Sequence, residues 1–483
     1  RCKKKGRNRI WQAGLLGMAL GILAFLLVYG VRVLDVTYDG WLFTGGDLQQ
    51  HYLGSLYYRT TPWTFPIGMM EGLTYDYPIS ILYTDSVPLF AVISKLFAPI
   101  LPETFQYFGW FGLLCYSANG ALGAVIGRRF TEKPFLYSLT SVFFIFASPV
   151  LQRLFGYMDY TGDSRHTALA AHFLVLAALA VWLYRDKFSR MWKSAVIWAV
   201  LGGLCIWIQS YFVFMVGGLM LGFLLENLIR NRKWSFVLVT FVSFCASVFG
   251  NMFILGAFEG EVSSNAAGFG VFSANINALV NPMGFSKVIP DLAVNQYFQY
   301  EGMSYLGLGM LALGILVLVY GIRWTVLHII NGTLKKRCRE LLTPERRAGL
   351  ISAGICFVVF FFLAVSTKIT LGKWVLVDIP LLKSVRNFMG IFRSGGRFMW
   401  CCMYMVMLGI LWVVLNKFPK KAVPWILAAA AGLQIWDLSG VMANLHATYA
   451  NETEAKIQYL DSAVLEALPD TYSRMLVYDA KMC

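Results

Sequence analysis

Long apolar runs, most of them closed by a short basic cluster, set the pattern of this chain. Stretches such as 10–34 and 234–257 are apolar on every side rather than along one stripe. A helix packed on a soluble core shows a single apolar face, so runs of this kind predict helices surrounded by lipid. The predicted spans are 10–33, 105–127, 134–150, 167–184, 194–208, 211–229, 234–257, 303–322, 350–366, 398–416 and 422–440. The expected fold class is all-α, a polytopic transmembrane helical bundle of about eleven spans.

Segment 80–101 (ISILYTDSVPLFAVISKLFAPI) is hydrophobic enough to span but is broken by Pro88 and Pro99 and preceded by Pro78. Counting it as a crossing would invert every later loop and put the basic clusters outside. It is therefore expected to be a re-entrant or surface-lying helix. The clusters 1–9, 128–133, 185–193, 230–233, 323–347 and 417–421 hold most of the 41 Lys and Arg residues, and the positive-inside rule assigns them to the cytoplasm. That distribution changes the meaning of the net charge of +15: it marks topology, and nucleic acid is not an expected partner.

The composition agrees, with 58% hydrophobic and 14% charged residues against about 25% charged in a soluble protein. The first span follows basic residues and lacks a small-residue cleavage site, so it reads as an uncleaved signal-anchor. The nine cysteines show no CxxC or zinc-type spacing, and no metal ligand set is assigned. Residues 1–440 are expected to form one membrane-embedded domain. The polar stretch 441–483 reads as the start of an extracytoplasmic domain that continues past Cys483.

The outer loops 34–104, 151–166, 258–302 and 367–397 concentrate the polar, irregular sequence, so function is expected there. Gly45-Gly46-Asp47 opens a helical stretch over 47–59. On one face lie Leu48, Tyr52, Leu53, Leu56 and Tyr57; on the other lie Asp47, Gln50, His51, Gly54 and Tyr58. Such a helix suits the interfacial plane with its polar face toward a cavity. Asp47 is the candidate base and His51 its neighbour one turn on, the competing role for Asp47 being a helix N-cap. Asp85, within an apolar segment, must be paired or line a wet cavity, or else cap a helix before Pro88. Loop 151–166 carries Arg153, Asp159, Asp163, Arg165 and His166, followed by His172. Glu301 and Tyr305 sit at the mouth of span eight. Lys383, Arg386, Arg393 and Arg397 crowd the fourth loop, where Arg393 and Arg397 flank Ser394-Gly395-Gly396 and suit a phosphate. Pairing with Asp378 or with lipid headgroups is the alternative.

These motifs, in order, resemble a family of uncharacterised bacterial polytopic membrane proteins. They are Gly45-Gly46-Asp47 with the following helix and the turn at 61–68, 83–88 (YTDSVP), 166–172 (HTALAAH), 300–307 (YEGMSYLG) and 392–398 (FRSGGRF). That family is similar in layout to the GT-C superfamily of glycosyltransferases, with YfhO-like, mannosyl- and arabinosyl-transferase relatives. The resemblance implies a GT-C-like bundle with interfacial helices in the first outer loop and an acidic residue just after span one, which Asp47 matches. It also implies a polyprenyl-phosphate-linked sugar as partner, bound by basic residues near outer span ends, which Arg393 and Arg397 match. His51, Asp85, His166, His172, Glu301 and Tyr305 are the further candidate substrate-binding residues. The expected function is sugar transfer from that donor to an extracytoplasmic acceptor. A transporter or flippase of lipid-linked glycans and a non-catalytic accessory protein are the alternatives. No nucleotide is implied, there being no GxxxxGK[ST] loop, and a divalent cation stays open as cofactor.

Overall fold

The computed structural model describes residues 2–72, 78–156, 165–259, 269–382, 384–385, 390 and 393–451, with 463, 467 and 468 beyond them. In chain order the helices are α1 (Cys2–Tyr29), α2 (Gly46–Thr60), α3 (Pro88–Leu96), α4 (Phe108–Phe130), α5 (Pro134–Ile145), α6 (Ser148–Arg153), α7 (Phe173–Leu183), α8 (Met191–Ile208), α9 (Phe212–Asn231), α10 (Trp234–Ile254), α11 (Leu308–Ile330), α12 (Leu334–Leu341), α13 (Pro344–Val365), α14 (Met399–Lys417) and α15 (Val423–Tyr449). Among the described residues nine of these, α1, α4, α8 to α11 and α13 to α15, are long and apolar enough to cross a bilayer. The protein is a polytopic helical membrane protein. The predicted spans 134–150 and 167–184 correspond to shorter apolar helices at Pro134–Ile145 and Thr167–Leu183.

Sequence punctuation sets many boundaries. Proline opens α3, α5, α13 and α15 at a position whose N–H would have no helical partner. Outward faces stay apolar: Leu238, Phe249, Ile315 and Leu318 are exposed on α10 and α11. An aqueous protein rarely shows apolar patches of that extent, whereas a bilayer solvates them.

Inside, small residues let the helix backbones touch. Gly17 and Gly21 of α1, four residues apart, cross α4 at Tyr116 and Gly120. A Cβ at Gly21 would lie 2.2 Å from the Tyr116 carbonyl oxygen, whereas one at Gly14 meets nothing closer than 3.8 Å. Gly21→Ala therefore lowers stability by about 1–3 kcal/mol through overpacking, and Gly14→Ala leaves it unchanged. Thermal unfolding of the two variants in detergent separates them, and equal melting points would refute the close crossing.

The basic segments gather at one end of the bundle. Ile10, Arg128 to Glu132, Leu183, Tyr184, Asp186 and Lys187 line a cavity of about 460 Å³ there. Buried Glu226 of α9 accepts from Trp182 (2.7 Å) and pairs with Arg185 (3.0 Å) and Arg230 (3.4 Å). The first long loop lies at the other end. There Gln106 donates to the Val33 carbonyl (2.8 Å), β1 (Met69–Met70) pairs antiparallel with β2 (Ile79–Ser80), and β2 is tied to α10 by Ser80 Oγ on the Leu255 carbonyl (2.6 Å). A second hairpin, β3 (Lys368–Leu371) with β4 (Trp374–Asp378), follows α13.

Segment 80–101 contains no helix long enough to cross. Its α3 has nine residues, about 13.5 Å of helix against a hydrocarbon core of about 30 Å. Lys95 within it is buried, donating to Thr61 Oγ1 (3.1 Å) and the Pro62 carbonyl (3.0 Å) over the Tyr58 ring. Exposed Ile100 is thus the position to probe. With the native thiols at 2, 338 and 483 removed, Ile100→Cys reacts with an impermeant maleimide on intact cells, and Glu132→Cys reacts only after permeabilisation. Labelling of both from one side would overturn the topology.

The last expected span, 422–440, is longer in the structure. Helix α15 runs on to Tyr449, because that end is packed rather than solvated: His446 meets the Leu27 carbonyl and the Tyr449 ring sits against Tyr29 and Trp41. Most of 452–483 lies outside the described residues.

Candidate functional site

Gly45 and Gly46 have φ of +86° and +65°, a left-handed backbone that side chains disfavour, and this turns the chain into α2. Gly45 is the N-cap, its N–H donating to Gln49 Oε1 (2.9 Å). Arg165 fastens the preceding loop by donating to the Thr44 hydroxyl and the carbonyls of Thr44 (3.3 Å) and Gly45 (3.0 Å). Asp47 therefore stands in the first turn of α2, exposed, and not at the capping position.

The faces of α2 are used otherwise than the sequence suggests. His51 and Tyr58, expected to face a cavity, are buried against protein, whereas Gly54 is buried and also borders the groove. Gly54 allows this, since a Cβ there would lie 2.6 Å from Thr84 Cβ and 2.7 Å from Ser86 Oγ. Leu53, Leu56 and Tyr57, expected on the apolar face, line a groove of about 900 Å³ together with Gly46, Gln49, Gln50, Gly54, Thr60, Ile79, Tyr83 and Thr84. That volume lies near the upper end of ligand sites.

Close packing at Gly54 brings Asp85 to His51. Ser86 Oγ donates to the His51 carbonyl (2.6 Å) and Tyr107 donates to that of Ser86. Asp85 and Val87 both have positive φ, at 55° and 52°, which is uncommon for Asp and strained for a β-branched residue. His166 Nε2 lies 3.2 Å from Asp85 Oδ2, and Gln209 Nε2 donates to Oδ1 (2.8 Å). The rings of His51 and His166 are 4.6 Å apart. Burial acts to raise the Asp85 pKa, but the His166 and His51 imidazoles and the Gln209 amide outweigh it and hold the carboxyl below the usual range. Burial, with His166 adding to it, pushes His51 down to about 3, so its ring is neutral. Among the described residues, His51 Nδ1 and His166 Nδ1 are buried without a hydrogen-bond partner. Each such atom costs about 1–3 kcal/mol. These three residues are also the set among the described residues placed to hold an ion, their ligand atoms all lying within 4.8 Å of one another.

A second cluster adjoins the first through His166, whose N–H donates to the Arg153 carbonyl (2.9 Å). Buried Glu301 accepts from Arg153 Nη2 (2.9 Å) and from Arg397 Nε (2.7 Å). Burial opposes its charge, yet Arg153 and Arg397 prevail and hold the carboxyl at about 2. The negative charge of Asp47 acts on both Arg153 and Tyr300, which places it beside this cluster. Tyr211 ties in the remaining element, its hydroxyl donating to the Ser394 carbonyl (2.7 Å) and its ring lying 5.1 Å from the Arg397 guanidinium.

The structure thus gathers Asp47, His51, Asp85, His166, Glu301 and Arg397 at one end of the bundle. Three expected residues lie apart or act otherwise. His172 is core: its Nδ1 meets the Tyr404 hydroxyl (2.8 Å) and its ring packs on Trp400, because it begins α7 inside the bundle. Tyr305 donates to Asp437 Oδ2 (2.8 Å) and so ties its loop to α15. Arg393 is exposed over the Phe272 ring at 5.3 Å. Arg393 and Arg397 thus have different neighbours, Phe272 and Glu301, and Glu301 takes the part foreseen for Asp378. Asp159, Asp163, Lys383 and Arg386 lie outside the described residues.

Sequence reasoning passed over Gln209, and it named Arg153 and Arg165 without giving them a role. It also missed Asp437, which accepts from Tyr305, Ser286 and the Leu308 N–H (3.0 Å). A carboxylate or amide within or at the end of an apolar run was the available signal.

The family described as "Domain of unknown function (DUF6311)" has a model that matches residues 18–439, and the chain belongs to that family. No curated protein and no solved structure matches the chain.

Proposed function

We propose that this member of the DUF6311 family is a GT-C-like glycosyltransferase, moving a sugar from a polyprenyl-phosphate donor to an acceptor on the outer face of the membrane. One observation carries the reading: an apolar groove runs along α2 from Gly46, next to the exposed Asp47 carboxylate, and the charge of Asp47 acts on Arg153 of the buried arginine–glutamate–arginine cluster. The prenyl chain lies in the groove along Leu53, Leu56 and Tyr57. Asp47 accepts the proton of the acceptor hydroxyl, the task a carboxylate performs in an inverting transfer. The guanidinium groups of Arg153 and Arg397 offer donors and positive charge to the departing phosphate, with Arg153 in the place beside Arg397 that was expected of Arg393.

The test is purified protein in liposomes, offered a panel of polyprenyl-phosphate sugars and simple glycan acceptors. Turnover of one donor, with release of polyprenyl phosphate, is the expected result. Folded protein that turns over none of them counts against the reading, and labelled donor crossing the bilayer unchanged would point to a flippase.

A further inference from the structure

The glycosyl-transfer reading leaves the two histidines beside Asp85 without a task. Their arrangement is more than a cluster by proximity. Both rings are buried, and each keeps an Nδ1 that no described residue satisfies. The carboxylate between them is oriented by Gln209 on one oxygen, and the backbone of His51 is held by Ser86. Supporting hydrogen bonds of this kind hold ligands in place around metal ions. We infer that His51, Asp85 and His166 bind one divalent first-row transition metal ion of the Zn²⁺ class, with a coordination position left open.

The donor set is two imidazole nitrogens and one carboxylate oxygen, which suits zinc and its neighbours better than the all-oxygen preference of Mg²⁺ or Ca²⁺. Three protein ligands leave a four-coordinate ion one site for water or substrate. Ligand atoms lying within 4.8 Å of one another need only a small closure to reach the separation of roughly 3.4 Å that bonds of about 2.1 Å impose. Gln209, on the turn that also carries Tyr211, links this site to the Arg397 side of the adjoining cluster. An ion here sits next to Glu301 and Arg153, where a substrate phosphate oxygen can fill its open position. That last step rests on the glycosyl-transfer reading; metal binding does not.

The experiment uses detergent-purified full chain carrying a histidine-free tag, stripped with a chelator and titrated with Co²⁺ as an optical stand-in for Zn²⁺. Wild type takes up one ion per chain, with visible bands of a nitrogen- and oxygen-ligated site, and Zn²⁺ displaces it while Mg²⁺ does not. His51→Gln and His166→Gln each weaken binding at least tenfold, and His446→Gln, whose ring meets the Leu27 carbonyl and is not part of the cluster, binds as wild type. X-ray absorption of the wild-type zinc form should show two imidazole ligands, a measurement that does not depend on any variant folding. Substoichiometric uptake by wild type, or unchanged affinity in both cluster variants, overturns the inference. A bound metal in a protein that transfers no sugar would refute the proposed function alone.

Discussion

Glu301→Gln lowers the stability of the folded protein by about 3–5 kcal/mol, the typical cost of removing one partner from a buried ion cluster. Glu301 pairs with both Arg153 and Arg397, at 2.9 and 2.7 Å, and is buried with them. Its loss leaves two guanidinium groups facing each other in a poorly solvated site. The amide can still accept a hydrogen bond but carries no charge. Because the folded-state pKa is depressed from 4.5 to about 2, the stabilisation is fully present above pH 4.5 and is lost as pH falls toward 2. The shift corresponds to roughly 3 kcal/mol. Thermal unfolding in detergent between pH 3 and 7 should show wild type losing stability on the acid side and Glu301→Gln starting lower with a flatter profile. Matching melting curves at neutral pH would mean that the cluster contributes nothing to the fold.

Asp47→Asn reduces sugar transfer by about 10²–10⁴-fold, the usual contribution of a general base, without loss of folded protein. The second half of that expectation comes from the structure. The cap of α2 is Gly45, and Asp47 is exposed, so its change to Asn takes no cap from the helix; it removes a favourable interaction with the helix N-terminus, about 0.3–1 kcal/mol, together with the action of its charge on Arg153. Asp47→Glu should recover part of the rate, and the pH–rate profile of Asp47→Asn should lose its acidic limb. Turnover within a few-fold of wild type would exclude Asp47 as the base. A fall in rate with an unaltered pH profile would make it a positioning residue for Arg153.

Much of the architecture was legible because lipid imposes a long, local signal. Trp234–Ile254 and Leu308–Ile330 announce themselves as long stretches in which apolar residues dominate and charges are almost absent, and the basic clusters in alternate loops mark one end of the bundle. Helix α2 was legible from its periodicity, and the prolines around α3 from their missing N–H. The face of α2 that meets the groove was not. Its assignment depended on whether Gly54 or Leu53 would be pressed against the 80–88 segment, and that is decided by close contact of Gly54 with Thr84 and Ser86, residues about thirty positions away.

The site divides in the same way. Composition and periodicity by themselves determined that the chain lies in a membrane, where its apolar runs begin and end, and which loops hold its ionisable residues, since each of these follows from neighbouring side chains and their transfer into lipid. Only the tertiary structure decided which ionisable residues meet. Arg397 is answered by Glu301 rather than Asp378, His172 is enclosed by Tyr404 and Trp400, and His51 and His166 close on Asp85 from loops more than a hundred residues apart. A buried charge is tolerated only beside a specific partner, and the identity of that partner is a property of helix packing, which no local pattern along the chain encodes.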